Sequence, residues 1–182
     1  MYNNFIFVIH KVMDCSLIIC TYNWPEALKL VLSSALFQSV EPNEIIIADD
    51  GSSKTTAIVI EDLAKSTSIP IIHSWQKDNG CRISHSRNRA IAKSNFEYII
   101  MIDGDTVLHY DFIKDHKRFA CKKVYIQGSR ALLQSKLTSK ILSKSEFSKP
   151  VFFSEDSKNK INLLRFPLIS KLMSYIKNQN LN

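Results

Sequence analysis

Glycine is scarce, at four residues in 182, and none of the four builds a Gly-x-Gly-x-x-Gly or Walker A string, which argues against a dinucleotide fingerprint or a P-loop. The four cysteines, Cys15, Cys20, Cys81 and Cys121, form no Cys-x-x-Cys pair. Three of them lie beside predicted strand or helix residues, and buried free thiols acting as small apolar groups are the expectation. No apolar run approaches the ~18 residues of a membrane span. The N-terminal Phe5-Ile6-Phe7-Val8-Ile9 falls short of the roughly 7 apolar residues of a signal-peptide core and has no basic residue before it. A cytoplasmic protein is expected. Acid is scarce at one end only. Residues 1–120 hold 12 Lys and Arg against 14 Asp and Glu, whereas residues 121–182 hold 12 against 3. That basic excess suits an anionic partner, such as a membrane surface or a phosphorylated lipid, or simply a solvated face. It lacks interleaved aromatics and any recognised module, so no nucleic-acid partner is expected.

What the chain does have is alternation. Ser16-Leu17-Ile18-Ile19-Cys20-Thr21 has the composition of a buried parallel strand. Asn23-Trp24-Pro25-Glu26 then looks like a capping box with Pro25 in the first turn, and Leu28, Val31, Leu32, Ala35 and Leu36 follow at helical spacing. The order repeats with a strand at 44–48, a helix over about 54–65 carrying Ile58, Leu63 and Ala64, and a strand at 69–75. After the polar loop 76–82, Ser84 can cap a helix running to Ser94, which leads into a strand at 97–102. This predicts an α/β protein with an open, mostly parallel central sheet and helices on both faces. Beyond Gly128 the Lys/Ser-rich sequence to about residue 160 reads as a surface excursion. Leu168, Ile169, Leu172, Met173 and Ile176 then share one helical face. Residues 1–13 read as an extension, with Met13 a natural start directly before the first strand. Residues 14–130 read as the main domain and 131–182 as a basic C-terminal segment.

In open parallel sheets, ligands collect at the carboxyl ends of the strands. The features that follow strand ends here are Thr21-Tyr22-Asn23, Asp49-Asp50-Gly51-Ser52, the loop 76–82 and Asp103-Gly104-Asp105. Residues two apart on an extended strand point to one side, so Asp103 and Asp105 can face one ligand while Gly104 permits a close approach. Carboxylate oxygens in this number suit Mg²⁺ or Mn²⁺ shared with substrate phosphates. A polar turn after a strand would look the same. Arg87 shares a helix face with Ala90 and Ile91, and a buried arginine there needs an anion, either a diphosphate or the Asp49/Asp50 pair. Arg89 and Lys93 face the other way. Arg82 can reach a ligand from the 76–82 loop. His73, His85, His109 and His116 show no metal-ligand spacing, and Trp75 can either stack on a ligand or pack at its strand end.

The ordered set Ile18-Ile19-Cys20-Thr21-Tyr22-Asn23, Ile46-Ile47-Ala48-Asp49-Asp50-Gly51-Ser52, Ser86-Arg87-Asn88-Arg89-Ala90-Ile91 and Ile100-Met101-Ile102-Asp103-Gly104-Asp105 resembles the nucleotide-binding half of family 2 glycosyltransferases, with their GT-A fold. Trp75-Gln76-Lys77-Asp78-Asn79-Gly80-Cys81-Arg82 and Gly128-Ser129-Arg130 resemble, more narrowly, a bacterial subgroup that builds surface polysaccharides. The resemblance covers residues 14 to about 130 and the tail only loosely. It implies a UDP-sugar donor and a glycan or lipid-linked acceptor. Thr21 and Asp50 or Asp49 would hold the base and ribose, with Tyr22, Asn23, Arg82 and Arg87 around the donor. Asp103 would meet the ribose or the metal, and Asp105 would ligate Mn²⁺ or Mg²⁺ on the diphosphate. Transfer would invert the sugar carbon, at the inner face of a membrane if the basic segment makes a peripheral contact.

The same resemblance implies a downstream acidic base to take the acceptor proton. Only 77 residues follow Asp105, and residues 121–182 carry only Glu146, Glu155 and Asp156 as acids. Glu155-Asp156 comes too early and is followed by Ser157-Lys158-Asn159-Lys160, not by an amphipathic helix. The expectation is a donor-binding portion that stops before its acceptor segment, with the catalytic base unassigned. A remnant that binds nucleotide-sugar or a partner without transfer is the alternative. A nucleotidyltransferase would also use carboxylates on an α/β sheet, but its Gly-rich basic signature is missing near the first strand.

Overall fold

The computed structural model describes residues 13–144 and 157–159. Residues 1–12, the Glu155-Asp156 dipeptide and the expected helix around 168–176 lie outside the described residues. The chain divides into two compact units with a boundary between Ile126 and Gln127.

The first unit alternates strand and helix: β1 (Cys15–Thr21), α1 (Pro25–Leu36), β2 (Glu44–Asp49), α2 (Lys54–Ala64), β3 (Ile71–Trp75), α3 (Ile83–Ala92), β4 (Tyr98–Asp103) and α4 (Phe112–Phe119). The four strands form one sheet in the order β3-β2-β1-β4, with every neighbouring pair parallel. Every residue of β1 and β2 is buried. Central strands of a parallel sheet are covered on both faces, and this is why residues 17–20 (LIIC) and 45–48 (IIIA) are unbroken apolar runs.

Connection handedness then sorts the helices. The chain steps from β1 to β2 to β3 in one direction and must cross back to lay β4 on the other side of β1. Right-handed crossovers therefore put α1 and α2 on one face and α3 on the opposite face. The packing follows that rule. Leu17, Ile19, Ile45, Ile47, Ile100 and Ile102 meet Leu28, Val31 and Leu32 of α1, Ile60 of α2 and Ile113 of α4. Ile18, Cys20, Ile46 and Ala48 meet Ala90 of α3.

Several expectations are corrected in detail. Asn23 does not cap α1: Trp24 occupies that position, and Pro25 opens the helix. Asn23 takes a left-handed φ of 47° and accepts the Ser53 N–H on Oδ1 at 2.9 Å, so it clamps one loop to another. Ser84 lies inside α3, whose cap position is Arg82. Ile58 is 54% exposed while Thr56 and Ile60 form the buried face of α2. Cys15 and Cys20 are buried, but Cys81 and Cys121 are exposed.

Helix α4 was not legible in the sequence, because it is short, at eight residues, and half of them are charged. It is held tertiarily: Gln38 Oε1 accepts the Ile113 N–H at 3.0 Å, and the Tyr98 hydroxyl of β4 meets His116 Nδ1 at 3.0 Å. No helix among the described residues is long and apolar enough to cross a membrane.

The second unit, taken by itself, contains β5 (Leu132–Leu133) paired antiparallel with β6 (Ser157–Lys158), and α5 (Ser135–Lys144). The stretch expected to be irregular beyond Gly128 therefore includes a helix.

Candidate functional site

The strand order reverses between β1 and β4, and this switch point is where an open α/β sheet leaves a crevice at its carboxyl edge. Cys20 and Asp103 are register partners across it, and Thr21 pairs with Asp49 on the other side of β1. The Gly104 N–H donates to the Cys20 carbonyl at 2.7 Å. A Cβ on residue 104 would stand 2.6 Å from that oxygen. The close approach that Gly104 permits is thus the β1 backbone itself. Strand β4 ends at Asp103, and the Thr106 N–H closes a turn onto the Asp103 carbonyl at 3.0 Å. Asp105 consequently sits in the turn, not on the strand, which corrects the expectation that strand alternation sets its direction.

The two acids at the end of β2, Asp49 within it and Asp50 just beyond, are both engaged within the protein. Asp49, fully buried, accepts the Gly51 and Ser52 N–H groups on Oδ1 at 3.1 and 2.7 Å. Its Oδ2 meets His73 Nε2 at 2.8 Å. Burial pushes this carboxyl up, but the hydrogen bonds from His73 and Ser52 outweigh it and hold it below the ordinary aspartate value. Asp50 accepts Gln76 Nε2 on Oδ1 at 2.5 Å and the Arg82 N–H on Oδ2 at 2.7 Å. Gln76, only 4% exposed, also meets His85 Nδ1 through its Oε1 at 2.5 Å. Sequence reading missed Gln76 and His73 because buried partners 26 and 24 residues away leave no local pattern.

Asp49 gives a pH test. A carboxyl depressed on folding contributes stability that is complete above its unfolded value, about 3.9, and that is lost as pH falls through the folded value. Asp49→Asn is expected to cost about 1–3 kcal/mol at pH 7, because the His73 and backbone donors lose a charged acceptor. Urea midpoints should converge with those of the unsubstituted protein below about pH 4. A gap that stays constant from pH 7 to 3 would show that Asp49 acts without its charge.

Arg87 does not meet Asp49 or Asp50, and its side chain is 35% exposed, not buried. Its Nη2 donates to Asp103 Oδ1 at 3.0 Å and its Nε donates to Cys20 Sγ at 3.3 Å. Burial pushes the Cys20 thiol up, so it stays neutral and serves as an acceptor. With Asp103 itself 46% exposed, the ion pair adds at most about 1 kcal/mol to stability. Ile91, expected inward with Arg87, is 41% exposed. Arg89 and Lys93 are exposed, as the helix face predicts.

The remaining candidates form the rim. Thr21 is 7% exposed and its carbonyl accepts the Asp50 N–H at 3.1 Å. Tyr22, more than half exposed, donates its hydroxyl to Asp78 Oδ2 at 3.1 Å. Arg82 folds its Nη2 back onto the Lys77 carbonyl at 2.6 Å. Trp75 donates Nε1 to the Ser52 carbonyl at 3.0 Å while leaving 46% of the residue exposed. It packs at its strand end and still shows a face to solvent.

Asp105 is exposed, and its one described hydrogen bond is a long 3.5 Å contact from Thr106 Oγ1. Mg²⁺ commonly takes one or two carboxylates and fills the rest of its shell with substrate phosphates and water. Asp103 and Asp105 fit that two-carboxylate role by donor chemistry. Among the described residues no group of three His, Cys, Asp or Glu could hold an ion by itself.

An open parallel α/β sheet with carboxylates gathered at its switch point defines a domain of the class that binds ligands at the carboxyl edge of its strands. The sequence profile of Glycosyl transferase family 2 matches residues 16–175, and the chain belongs to that family. It is 32% identical over 127 residues to cholesterol galactosyltransferase of Borreliella burgdorferi, covering 65% of this chain and 34% of that protein. It is 31% identical over 112 residues to poly-beta-1,6-N-acetyl-D-glucosamine synthase of Staphylococcus epidermidis, covering 59% of this chain and 26% of that protein. The chain therefore spans about a third or less of the length of these relatives. Among solved structures, the mannosyltransferase PcManGT from Pyrobaculum calidifontis in complex with GDP-Man and Mn²⁺ superposes with a TM-score of 0.54 at 17% identity, covering 71% of this chain and 38% of that one. S. aureus TarS 1-349 in complex with UDP-GlcNAc gives 0.51 at 24% identity, covering 59% and 31%. The likeness is one of fold, and that fold is GT-A.

Proposed function

We propose that residues 13–126 hold the nucleoside diphosphate of a sugar donor, with UDP as the nucleotide, for transfer of the sugar to a glycan or lipid-linked acceptor in surface polysaccharide synthesis. The observation that carries the reading is the Asp103-Gly104-Asp105 turn at the β1–β4 switch point. There one carboxylate is held by Arg87 and the other stands open to solvent. Names of relatives at 31–32% identity, a galactosyltransferase and an N-acetylglucosamine polymer synthase, support hexosyl transfer.

Asp103 and Asp105 would hold Mn²⁺ or Mg²⁺ against the diphosphate, and a bound ion would neutralise charge on the departing nucleotide. Thr21, Tyr22 and Asn23 border the crevice from β1. Asp50 acts through Gln76 and the Arg82 N–H, fixing the 76–82 loop that forms the neighbouring wall. An acceptor hydroxyl attacking opposite the diphosphate would invert the sugar carbon. The basic excess of residues 121–182 suits peripheral contact with the anionic cytoplasmic face of a membrane.

A second reading is binding without transfer, because the carboxylates described at the crevice are those of a donor site. Calorimetric titration of the full chain with UDP and Mn²⁺, beside an assay of UDP release from UDP-galactose and UDP-N-acetylglucosamine, separates the readings. Mn²⁺-dependent UDP binding with release is expected for the transferase. Binding without release selects the second reading, and failure of every nucleotide to bind with metal present overturns the donor site.

A further inference from the structure

The Arg87 guanidinium lies against one of the carboxylates that a divalent cation would need. Its Nη2 is 3.0 Å from Asp103 Oδ1, and Cys20 Sγ takes its Nε at 3.3 Å. Two contacts on different nitrogens fix the plane of the group as well as its distance. The contacts are unequal in kind. A neutral thiol is a weak acceptor that steers the guanidinium, whereas the carboxylate supplies the charge.

A unit positive charge about 5 Å from a divalent ion repels it even in a water-like medium, enough to weaken binding roughly tenfold. Asp103 is therefore masked electrostatically while Arg87 sits on it. The mask is not buried, since 35% of the Arg87 side chain and 46% of the Asp103 side chain remain exposed, and an anion can approach the guanidinium from solvent. A diphosphate is the stronger partner for it, because phosphate oxygens match the guanidinium fork and carry more charge than one carboxylate.

We propose that Arg87 is a hand-over residue: in the free protein it occupies Asp103 and keeps a divalent cation off, and the arriving nucleoside diphosphate draws it away and releases Asp103 to the cation. The inference rests on the donor reading above. Arg87 is a positioning residue for Asp103 before the donor binds and a phosphate ligand afterwards. The consequence is ordered binding, in which the metal joins with or after the nucleotide. It also accounts for a rim whose carboxylates do not assemble into a cation site by themselves.

Free Mn²⁺, followed by its electron paramagnetic resonance signal during titration of the full chain with and without saturating UDP, tests this without any turnover. Arg87→Gln is expected to bind Mn²⁺ about three- to tenfold more tightly than the unsubstituted protein when no nucleotide is present. The factor by which UDP strengthens Mn²⁺ binding should fall correspondingly, and Mn²⁺ should strengthen UDP binding by that same reduced factor. The double variant Arg87→Gln/Asp103→Asn replaces a neutral ion pair with a neutral amide pair. It should keep the nucleotide-free Mn²⁺ affinity of the unsubstituted protein within about twofold, because a masked Asp103 contributes little there, and should lose most of the UDP-dependent gain. Thermal unfolding of both variants checks that they are folded. The hand-over is overturned if UDP binds normally but Arg87→Gln leaves nucleotide-free Mn²⁺ affinity unchanged or weaker, or if the double variant loses it. If the unsubstituted protein binds no UDP at any Mn²⁺ concentration, the donor reading falls and the hand-over with it.

Discussion

Asp105→Asn is expected to lower UDP release from a UDP-sugar by two to three orders of magnitude while moving the thermal midpoint by no more than about 2 °C. The first half follows from charge. If Asp105 holds the cation that neutralises the departing diphosphate, removing its charge forfeits several kcal/mol of stabilisation of the developing leaving group, and each 1.36 kcal/mol or so is a decade in rate. The second half follows from exposure. Asp105 is exposed, with only a 3.5 Å contact from Thr106 in its described surroundings, and substitutions at such surface positions usually stay within about 0.5 kcal/mol. For a chain of this length that is roughly 1–2 °C. Where turnover is too low to follow, Mn²⁺-dependent UDP affinity carries the same comparison. Asp103→Asn is the less clean probe, because it also strips Arg87 of a partner at 3.0 Å. An Asp105→Asn protein that keeps release and UDP affinity within about threefold would remove Asp105 from the metal site.

The parts of this fold that the sequence shows are those whose environment is uniform along the chain. Strands β1 and β2 are buried from end to end, so their apolar runs mark them to within a residue. The edge strand β3 is half-buried, and its start lies two residues later than the apolar pattern suggests. Alternation even separates Asp49 from Asp50. One follows Ile45 and Ile47 toward the α1 and α2 face, and the other follows Ile46 and Ala48 toward α3.

Sequence cannot show which acids already have partners within the protein. His73 lies 24 residues from Asp49, and Gln76 lies 26 from Asp50. Those distant partners tie both acids to the loops at the end of the sheet, which no local pattern announces. Asn23 failed as a cap for a related reason: its side chain had a better use, accepting the Ser53 N–H from the loop after β2, in the competition between local and tertiary hydrogen bonds that asparagine commonly enters. Arg87 was expected to be buried and to meet a diphosphate or the Asp49/Asp50 pair, yet it is 35% exposed and its partner is Asp103.

That loop after β2 supplies the largest expected effect on stability. Gly51→Ala should destabilise the protein by about 2–5 kcal/mol, for two separable reasons. Gly51 has φ of 100°, outside what an L side chain adopts readily, and even the milder left-handed region costs about 1–2 kcal/mol. A Cβ there would also stand 2.5 Å from Asp78 Cα and 2.6 Å from its N. Backbone cannot swing aside as a side chain can, and overpacking of this kind adds about 1–3 kcal/mol.

The segment that must yield is the 76–82 loop. Its Asp78 takes the Tyr22 hydroxyl at 3.1 Å, and its far end is tied to Asp50 through the Arg82 N–H at 2.7 Å. Loss of stability should therefore come with loss of the crevice wall, seen as a weaker UDP affinity in the molecules that remain folded. Gly80→Ala separates the two causes. Gly80 also has positive φ, 71°, but nothing lies within 4 Å of the Cβ it would gain, so only the backbone cost of about 1–2 kcal/mol applies. Melting curves should place Gly51→Ala roughly 5–20 °C below the unsubstituted protein, and clearly below Gly80→Ala. Equal midpoints for the two variants would mean that the loop gives way without resistance and that Gly51 is required for its φ alone.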